Sequence, residues 1–411
     1  MRSSVLRIDL PFMESSTFLF LTANIGSLFG KVKMLQEGWF TEVVKVITKK
    51  RPLVLAFHFQ EVGGKEFKFH MEQMKPFIRL LYDKCSGQSG LNRGLAYVDE
   101  DFSSSDTFTA LGTLYLFHDT LPSVEVFNFS TMKFEGLEHF EIYTESSGLP
   151  FFQKKRFLKD MFPKRLPSRK GFLRCHLKVD SFAFDLVNVH LFHDSCNIAA
   201  VEMSPSVFAK QRECGLKFIM DQINKCLPVE APLVIFGDFN FRLDTKSLVE
   251  NLLAPPSVAV QTVTQGDDGQ PRVQYKHVRS GENLVDVRSK VFNHTMNIKN
   301  EALDQLFKLD REPKNHLGLR EFPINFLPSY PFMEDIDKAG VYMNTRAPAW
   351  CDRVFLNDHA WRLAQLVPDP PVYDLIGKDT CMGDHKPVYL WVCLSFVPVK
   401  PRFSLLNSSQ A

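Results

Sequence analysis

No stretch of the 411 residues approaches the ~18 consecutive apolar positions that a helical membrane span requires. The first residues carry Arg2, Arg7, Asp9 and Glu14 in place of an apolar leader core, so a secretory signal is not expected. The eight cysteines (85, 175, 196, 214, 226, 351, 381 and 393) include no C-x-x-C pair, which argues against a zinc knuckle and a disulfide framework. Reduced thiols in the cytoplasm are the expectation. Net charge is only +2, too small for a general nucleic-acid coat. No internal repeat at a solenoid period is present either. What remains is the composition of a globular protein with a large core, 45% hydrophobic and 23% charged, with 38 phenylalanines mostly in strand-like runs.

The pattern alternates strands and helices. Thr17-Phe-Leu-Phe-Leu-Thr-Ala-Asn24 reads as a strand. Val32, Leu35, Trp39, Val43, Val46 and Ile47 follow at helical spacing until Arg51-Pro52. Leu53–Phe57 is a second buried strand that delivers Gln60-Glu61. A helix over 65–82 should kink or end near Pro76. Strands are expected at 94–98, 107–117 and 124–129, then a hairpin, 172–179 and 182–189, turning at Asp180-Ser181. A helix at 205–226 precedes the strand of Val234-Ile-Phe-Gly-Asp-Phe-Asn240, in which Gly237 is expected to let the chain turn. Residues 254–340 read as an irregular elaboration around a helix near 299–309. The last strands are 350–356 and 387–396.

Polar groups arrive where these strands end or begin: Asn24, Gln60-Glu61, His190, Asp238 with Asn240, Asp352 beside Arg353, and Asp384-His385. Any one of them could be turn chemistry. Together they supply an oxygen ligand for a hard cation, two imidazoles and two carboxylate-containing pairs. That is an inventory for metal-assisted hydrolysis of a phosphate ester. Between Gln153 and Arg174 nine Lys/Arg face one acid, Asp160, and this run reads either as a solvated loop or as an anion-collecting surface.

Gly237-Asp-Phe-Asn-Phe-Arg242, Pro348-Ala-Trp-Cys-Asp-Arg-Val354 and Gly383-Asp-His-Lys-Pro387 resemble the signature motifs of the inositol polyphosphate 5-phosphatases. Asn344–Arg353, His190–Asp194 and Arg169–Phe172 are most similar to that family's type I branch, which acts on inositol 1,4,5-trisphosphate. The resemblance runs from about residue 17 to 396. It implies an α/β fold: a four-layer sandwich of two mixed sheets flanked by helices, like that of DNase I, with the site on one rim. A single catalytic domain over 17–398 with short tails at 1–16 and 399–411 is expected.

The resemblance also suggests roles. Glu61 would hold Mg²⁺, which prefers oxygen ligands, with Asn24 in support. Asp238 would position or deprotonate the attacking water, with Asn240 holding the phosphate or orienting Asp238. His190 and His385 would donate to the phosphoryl oxygens, Asp352 would fix the His385 tautomer, and Asp384 joins this catalytic set. Arg346 is the first choice for a neighbouring substrate phosphate, followed by Lys170, Arg169 and Arg353; Arg353 could equally be a buried partner of an acid. Two alternatives stay open: a nuclease on the same sandwich, or a non-catalytic phosphoinositide-binding module. Type I enzymes typically end in a prenylated C-a-a-X box, whereas Ser408 stands at the cysteine position here, so membrane association is expected to be peripheral at most. The expected partner is a small inositol polyphosphate and not nucleic acid; protein partners are unknown.

Overall fold

The computed structural model describes residues 15–30, 33–104, 106–157, 169–226, 231–253, 259–265, 269, 271–294, 303–315 and 318–396. Side-chain alternation along its first strand sets the layers. In β1 (Ser15–Asn24), Phe18 and Phe20 join a core cluster shared with the second sheet, while Leu19 and Leu21 join a cluster with the helices. A strand covered on both faces needs a continuous apolar run, and this one has it.

β1 pairs in parallel with β2 (Val54–Gln60) and antiparallel with β19 (Val388–Ser395). With β3 (Arg93–Val98), β4 (Leu111–Phe117), β7 (Phe140–Tyr143) and β18 (Val372–Leu375) they form a sheet ordered β18-β19-β1-β2-β4-β3-β7. Its outer face packs on α1 (Lys33–Lys50) and α3 (Met74–Ser89), through Trp39, Val43, Phe77 and Ile78.

The second sheet is ordered β16-β17-β11-β10-β9-β5-β6. Its strands are β16 (Leu319–Arg320), β17 (Asp352–Asn357), β11 (Leu233–Asp238), β10 (Phe182–His190), β9 (Gly171–Val179), β5 (Val124–Asn128) and β6 (Lys133–Gly136). β8 (Gln153–Arg156) also pairs with β9. Val187, Val189, Ile235 and Phe355 turn outward onto Leu216, Ile219 and Ile223 of α5 (Val207–Cys226). Phe184, Leu186, Val234, Phe236 and Val354 turn inward against the first sheet. The layers are therefore helix, sheet, sheet, helix.

Polar side chains tie the two sheets together near one rim. His58 Nδ1 lies 3.0 Å from the Phe236 carbonyl, and Gln60 donates to Asn188 at 2.8 Å. Asn188 in turn donates to the carbonyls of Phe59 and Gly112. Buried and satisfied, such bonds fix one relative placement of the sheets, which apolar contact alone would leave free to slide.

Three expectations are corrected. The helix over 65–82 is two pieces: α2 (Phe67–His70) ends, and α3 begins at Met74, so that Pro76 sits in a first turn where its missing N–H is harmless. Gly237 makes no turn. It lies within β11 opposite Val189, and a Cβ there would stand 2.1 Å from the Val189 carbonyl oxygen, so glycine is required by close strand approach. The supposedly irregular stretch holds an antiparallel meander, β12 (Ala259–Gln265), β13 (Pro271–His277), β14 (Asn283–Arg288) and β15 (Val291–His294), which buries Val273, Val285, Val287 and Phe292. The helix expected near 299–309 is the short α7 (Leu303–Phe307) within the described residues.

Candidate active site

Strand direction explains why groups far apart in sequence meet. β1 and β2 end together, with Asn24 opposite Gln60. β10 and β11 are parallel and place His190 beside Asp238; β17 runs the other way, so its first residue, Asp352, sits beside Asp238 as well. Ends of parallel strands and starts of antiparallel ones thus share one rim. Asn24 Nδ2 donates to Asp238 Oδ2 at 3.1 Å and joins the two sheets there.

Asp238 is 1% exposed. Its Oδ1 accepts from the Asn240 backbone N–H at 2.8 Å and its Oδ2 lies 3.2 Å from His190 Nε2. Burial works against its ionisation, but His190, His385 and Lys170 outweigh that and hold the carboxyl well below the usual range. Asn240 adopts φ +52°, a left-handed conformation that asparagine tolerates. This turn aims its backbone N–H at the carboxylate.

Glu61 follows β2, also in the left-handed region at φ +57°. Burial alone would raise its carboxyl, but Lys170, His190, Arg169 and His385 bring it down to about 2. It is therefore an ionised oxygen donor. A Cβ at Gly26 would fall 2.6 Å from Glu61 Oε2 and 3.1 Å from Asn24 Oδ1, so both oxygens converge on space that only glycine leaves open. This donor set suits a hard cation such as Mg²⁺. A second grouping, Asp238, Asp352 and His385, has ligand atoms within 4.8 Å of one another. There His385 Nδ1 is hydrogen-bonded to Asp352 Oδ2 at 2.9 Å. Burial opposes the imidazolium, yet Asp352 and Asp238 raise it to about 9. The two carboxylates thus favour a proton on His385.

His190 Nε2 faces Asp238, Glu61 at 3.9 Å and the Lys170 ammonium, while its Nδ1 has no partner among the described residues. Burial first, then the Lys170 charge, lowers its basicity, and burial brings Lys170 down to about 8. Arg169 donates to the Gly64 carbonyl at 3.1 Å and lies over the Phe67 ring, which holds the loop after Glu61. Asp384, expected in the catalytic set, turns its carboxylate to the Ser27 hydroxyl at 2.8 Å.

Among the substrate-binding candidates Arg346 and Arg353 behave oppositely. Arg346 donates to the carbonyls of Ser289, Thr345 and Asp194, so its plane is fixed, and no carboxylate among the described residues forms an ion pair with it. Arg353 takes the second of its two expected parts, that of a buried partner of acids. Strand alternation sends it away from Asp352, and its buried guanidinium takes Glu321 through two nitrogens at 2.7 and 2.5 Å and Asp310 at 2.8 Å. Arg353→Met is accordingly expected to cost about 3–5 kcal/mol by leaving two buried carboxylates unpaired. Urea unfolding at constant m checks this, and a loss under 1 kcal/mol contradicts it.

In the basic run, the part in β8 is held by partners. Lys154 is buried against Asp99 and Glu145, Lys155 bonds Gln222, and Arg156 pairs with Asp106. Lys159, Lys164 and Arg165 lie outside the described residues. Sequence reading also passed over Ser329, whose hydroxyl donates to Asp352 Oδ2 at 2.7 Å, and Tyr330, whose ring packs 4.4 Å from that of His385. Neither stands in a quoted motif. Arg242 did stand in one without being assigned a part.

The rim gathers an ionised carboxylate and a neutral amide oxygen for a cation, a buried carboxylate beside two imidazoles, and the positive charges of Lys170 and Arg346. Such a set can orient a water, hold a phosphoryl group and neutralise its developing charge.

Residues 275–391 match the model of endonuclease/exonuclease/phosphatase family 2. The human inositol polyphosphate-5-phosphatase A is 37% identical over 383 residues, covering 90% of this chain and 92% of its own. A Caenorhabditis elegans protein described as a probable type I inositol 1,4,5-trisphosphate 5-phosphatase is 32% identical, covering 91% and 98%. Among solved structures, the inositol polyphosphate 5-phosphatase domain of SPsynaptojanin, crystallised with inositol (1,4)-bisphosphate and calcium, superposes with a TM-score of 0.50 at 15% identity, over 93% of this chain and 85% of that one. At that identity the superposition speaks for the DNase I-like fold.

Proposed function

The chain belongs to the inositol polyphosphate 5-phosphatases, and from that premise we propose that it removes the 5-phosphate of soluble inositol 1,4,5-trisphosphate, with inositol 1,3,4,5-tetrakisphosphate as a second substrate, using Mg²⁺. The observation that supports this most strongly is Asp238, fixed between Asn24, Asn240 and His190 beside the ionised Glu61. Hydrolysis of this messenger ends a calcium signal, which places the enzyme in the cytoplasm or peripherally at membranes. No described helix is long and apolar enough to cross a bilayer.

Held by Glu61 and Asn24, Mg²⁺ would neutralise phosphoryl charge and make water more acidic. Asp238 orients the attacking water in line with the leaving oxygen and takes its proton. His385, kept cationic by Asp352, donates to a phosphoryl oxygen, and His190 faces the same group from β10. Lys170 adds positive charge at the reacting end of the cleft. Arg346 meets a phosphate that does not react. Arg346→Ala is expected to raise KM about ten- to a hundredfold, the loss of a charge-assisted contact, with kcat changed by less than about threefold. An unchanged KM removes Arg346 from the substrate site.

One assay separates the readings. Purified protein should release phosphate from inositol 1,4,5-trisphosphate with Mg²⁺, stop on chelation, and leave plasmid DNA intact. Nicking without phosphate release supports the nuclease. Substrate binding without turnover supports a non-catalytic module.

A further inference from the structure

Among the described residues four arginines are buried, and three are neutralised by carboxylates. Arg174 pairs with Asp185, Arg212 with Asp194 and Glu312, and Arg353 with Asp310 and Glu321. The fourth, Arg242, is 6% exposed, and the nearby acids Asp194 and Glu312 direct their side chains to Arg212. Its Nη2 donates to Asn240 Oδ1 at 2.7 Å, its guanidinium lies 4.5 Å from the centre of the Tyr330 ring, and Nε and Nη1 have no partner among the described residues. Asp194 favours this cation from a distance, but no carboxylate among the described residues bonds to it, so its buried, half-satisfied guanidinium needs a reason beyond packing.

Asn240 supplies that reason. Its amide is held at both ends, Oδ1 by Arg242 and Nδ2 by the Leu191 carbonyl at 3.0 Å. This fixes which way the amide faces and locks the left-handed turn. The turn points the Asn240 backbone N–H at Asp238 Oδ1, leaving Oδ2 for Asn24 and His190. We propose that Arg242 is a positioning residue, acting through Asn240 to set the plane of the Asp238 carboxylate. This rests on the phosphatase reading above and assigns Arg242 no contact with substrate.

The test is steady-state hydrolysis of inositol 1,4,5-trisphosphate with Mg²⁺ by wild type, R242M, R242K, N240A and N240A/R242M. Misplacing a reacting group by about an ångström costs on the order of a hundredfold, so R242M should lose about that factor in kcat with KM within about threefold. Added guanidinium chloride at millimolar concentration should recover part of the loss, which repair of a generally loosened fold would not do. The double variant should be no slower than N240A alone, because both act on one carboxylate. R242K keeps the charge without the planar fork and should fall between wild type and R242M. A raised KM with normal kcat overturns the proposal by making Arg242 a direct phosphate ligand. Additive losses in the double variant overturn it too. If R242M does not fold, R242K decides, and a wild-type kcat there overturns it. Wild type that releases no phosphate defeats the phosphatase reading instead, a result independent of any difference between variants.

Discussion

Asp238→Asn is expected to lower kcat by about a thousandfold, within the range that a positioned general base contributes, while KM moves little. The substitution keeps shape and volume, and its amide oxygen can still accept from the Asn240 backbone N–H, although its amide nitrogen then meets the Asn24 donor. What is lost is the negative charge that orients water and accepts its proton. The charge is well defended: Asp238 is buried, and His190, His385 and Lys170 all favour its ionised form. Because those cations then face a neutral group, the melting temperature should also shift, and comparing kcat of folded protein with unfolding curves separates the two effects. Retention of more than a tenth of wild-type kcat at unchanged stability would mean that another group activates the water.

Glu61→Gln is the second large effect. The amide still reaches the space beside Gly26, but it brings a neutral oxygen where an ionised one stood. Affinity for Mg²⁺ should fall by at least about ten- to a hundredfold, the range seen when support of a metal site is lost, and kcat at fixed Mg²⁺ should fall at least as far. Titrating Mg²⁺ against activity, and separately by calorimetry, reads both. An unchanged Mg²⁺ dependence would move the cation to other ligands, Asp238 with Asp352 first among them.

Much of this site was legible in the sequence because strand ends carry their own signal. Glu61, His190, Asp238 and Asp352 each interrupt an apolar run at its end, and strand pairing then fixed the row His190, Asp238, Asp352. Helices on both outer faces followed from runs such as Leu233–Phe236, apolar at successive positions. Three things escaped for physical reasons. The meander at 259–294 is half exposed, so its alternation is diluted by polar residues and the stretch reads as irregular. Which cations are free and which are paired depends on partners distant in sequence: Arg353 meets Asp310 and Glu321, and Lys154 meets Asp99. Polar ties between the sheets, His58 to Phe236 and Gln60 to Asn188, left only a faint trace as polar residues inside apolar runs.

The most direct measurement is a single turnover of inositol 1,4,5-trisphosphate by the wild-type protein with Mg²⁺ in ¹⁸O-labelled water. Attack of a water oriented by Asp238 on the 5-phosphorus gives inositol 1,4-bisphosphate and inorganic phosphate carrying one labelled oxygen. Label incorporated into the inositol hydroxyl, a different bisphosphate isomer, or no phosphate at all would contradict the account.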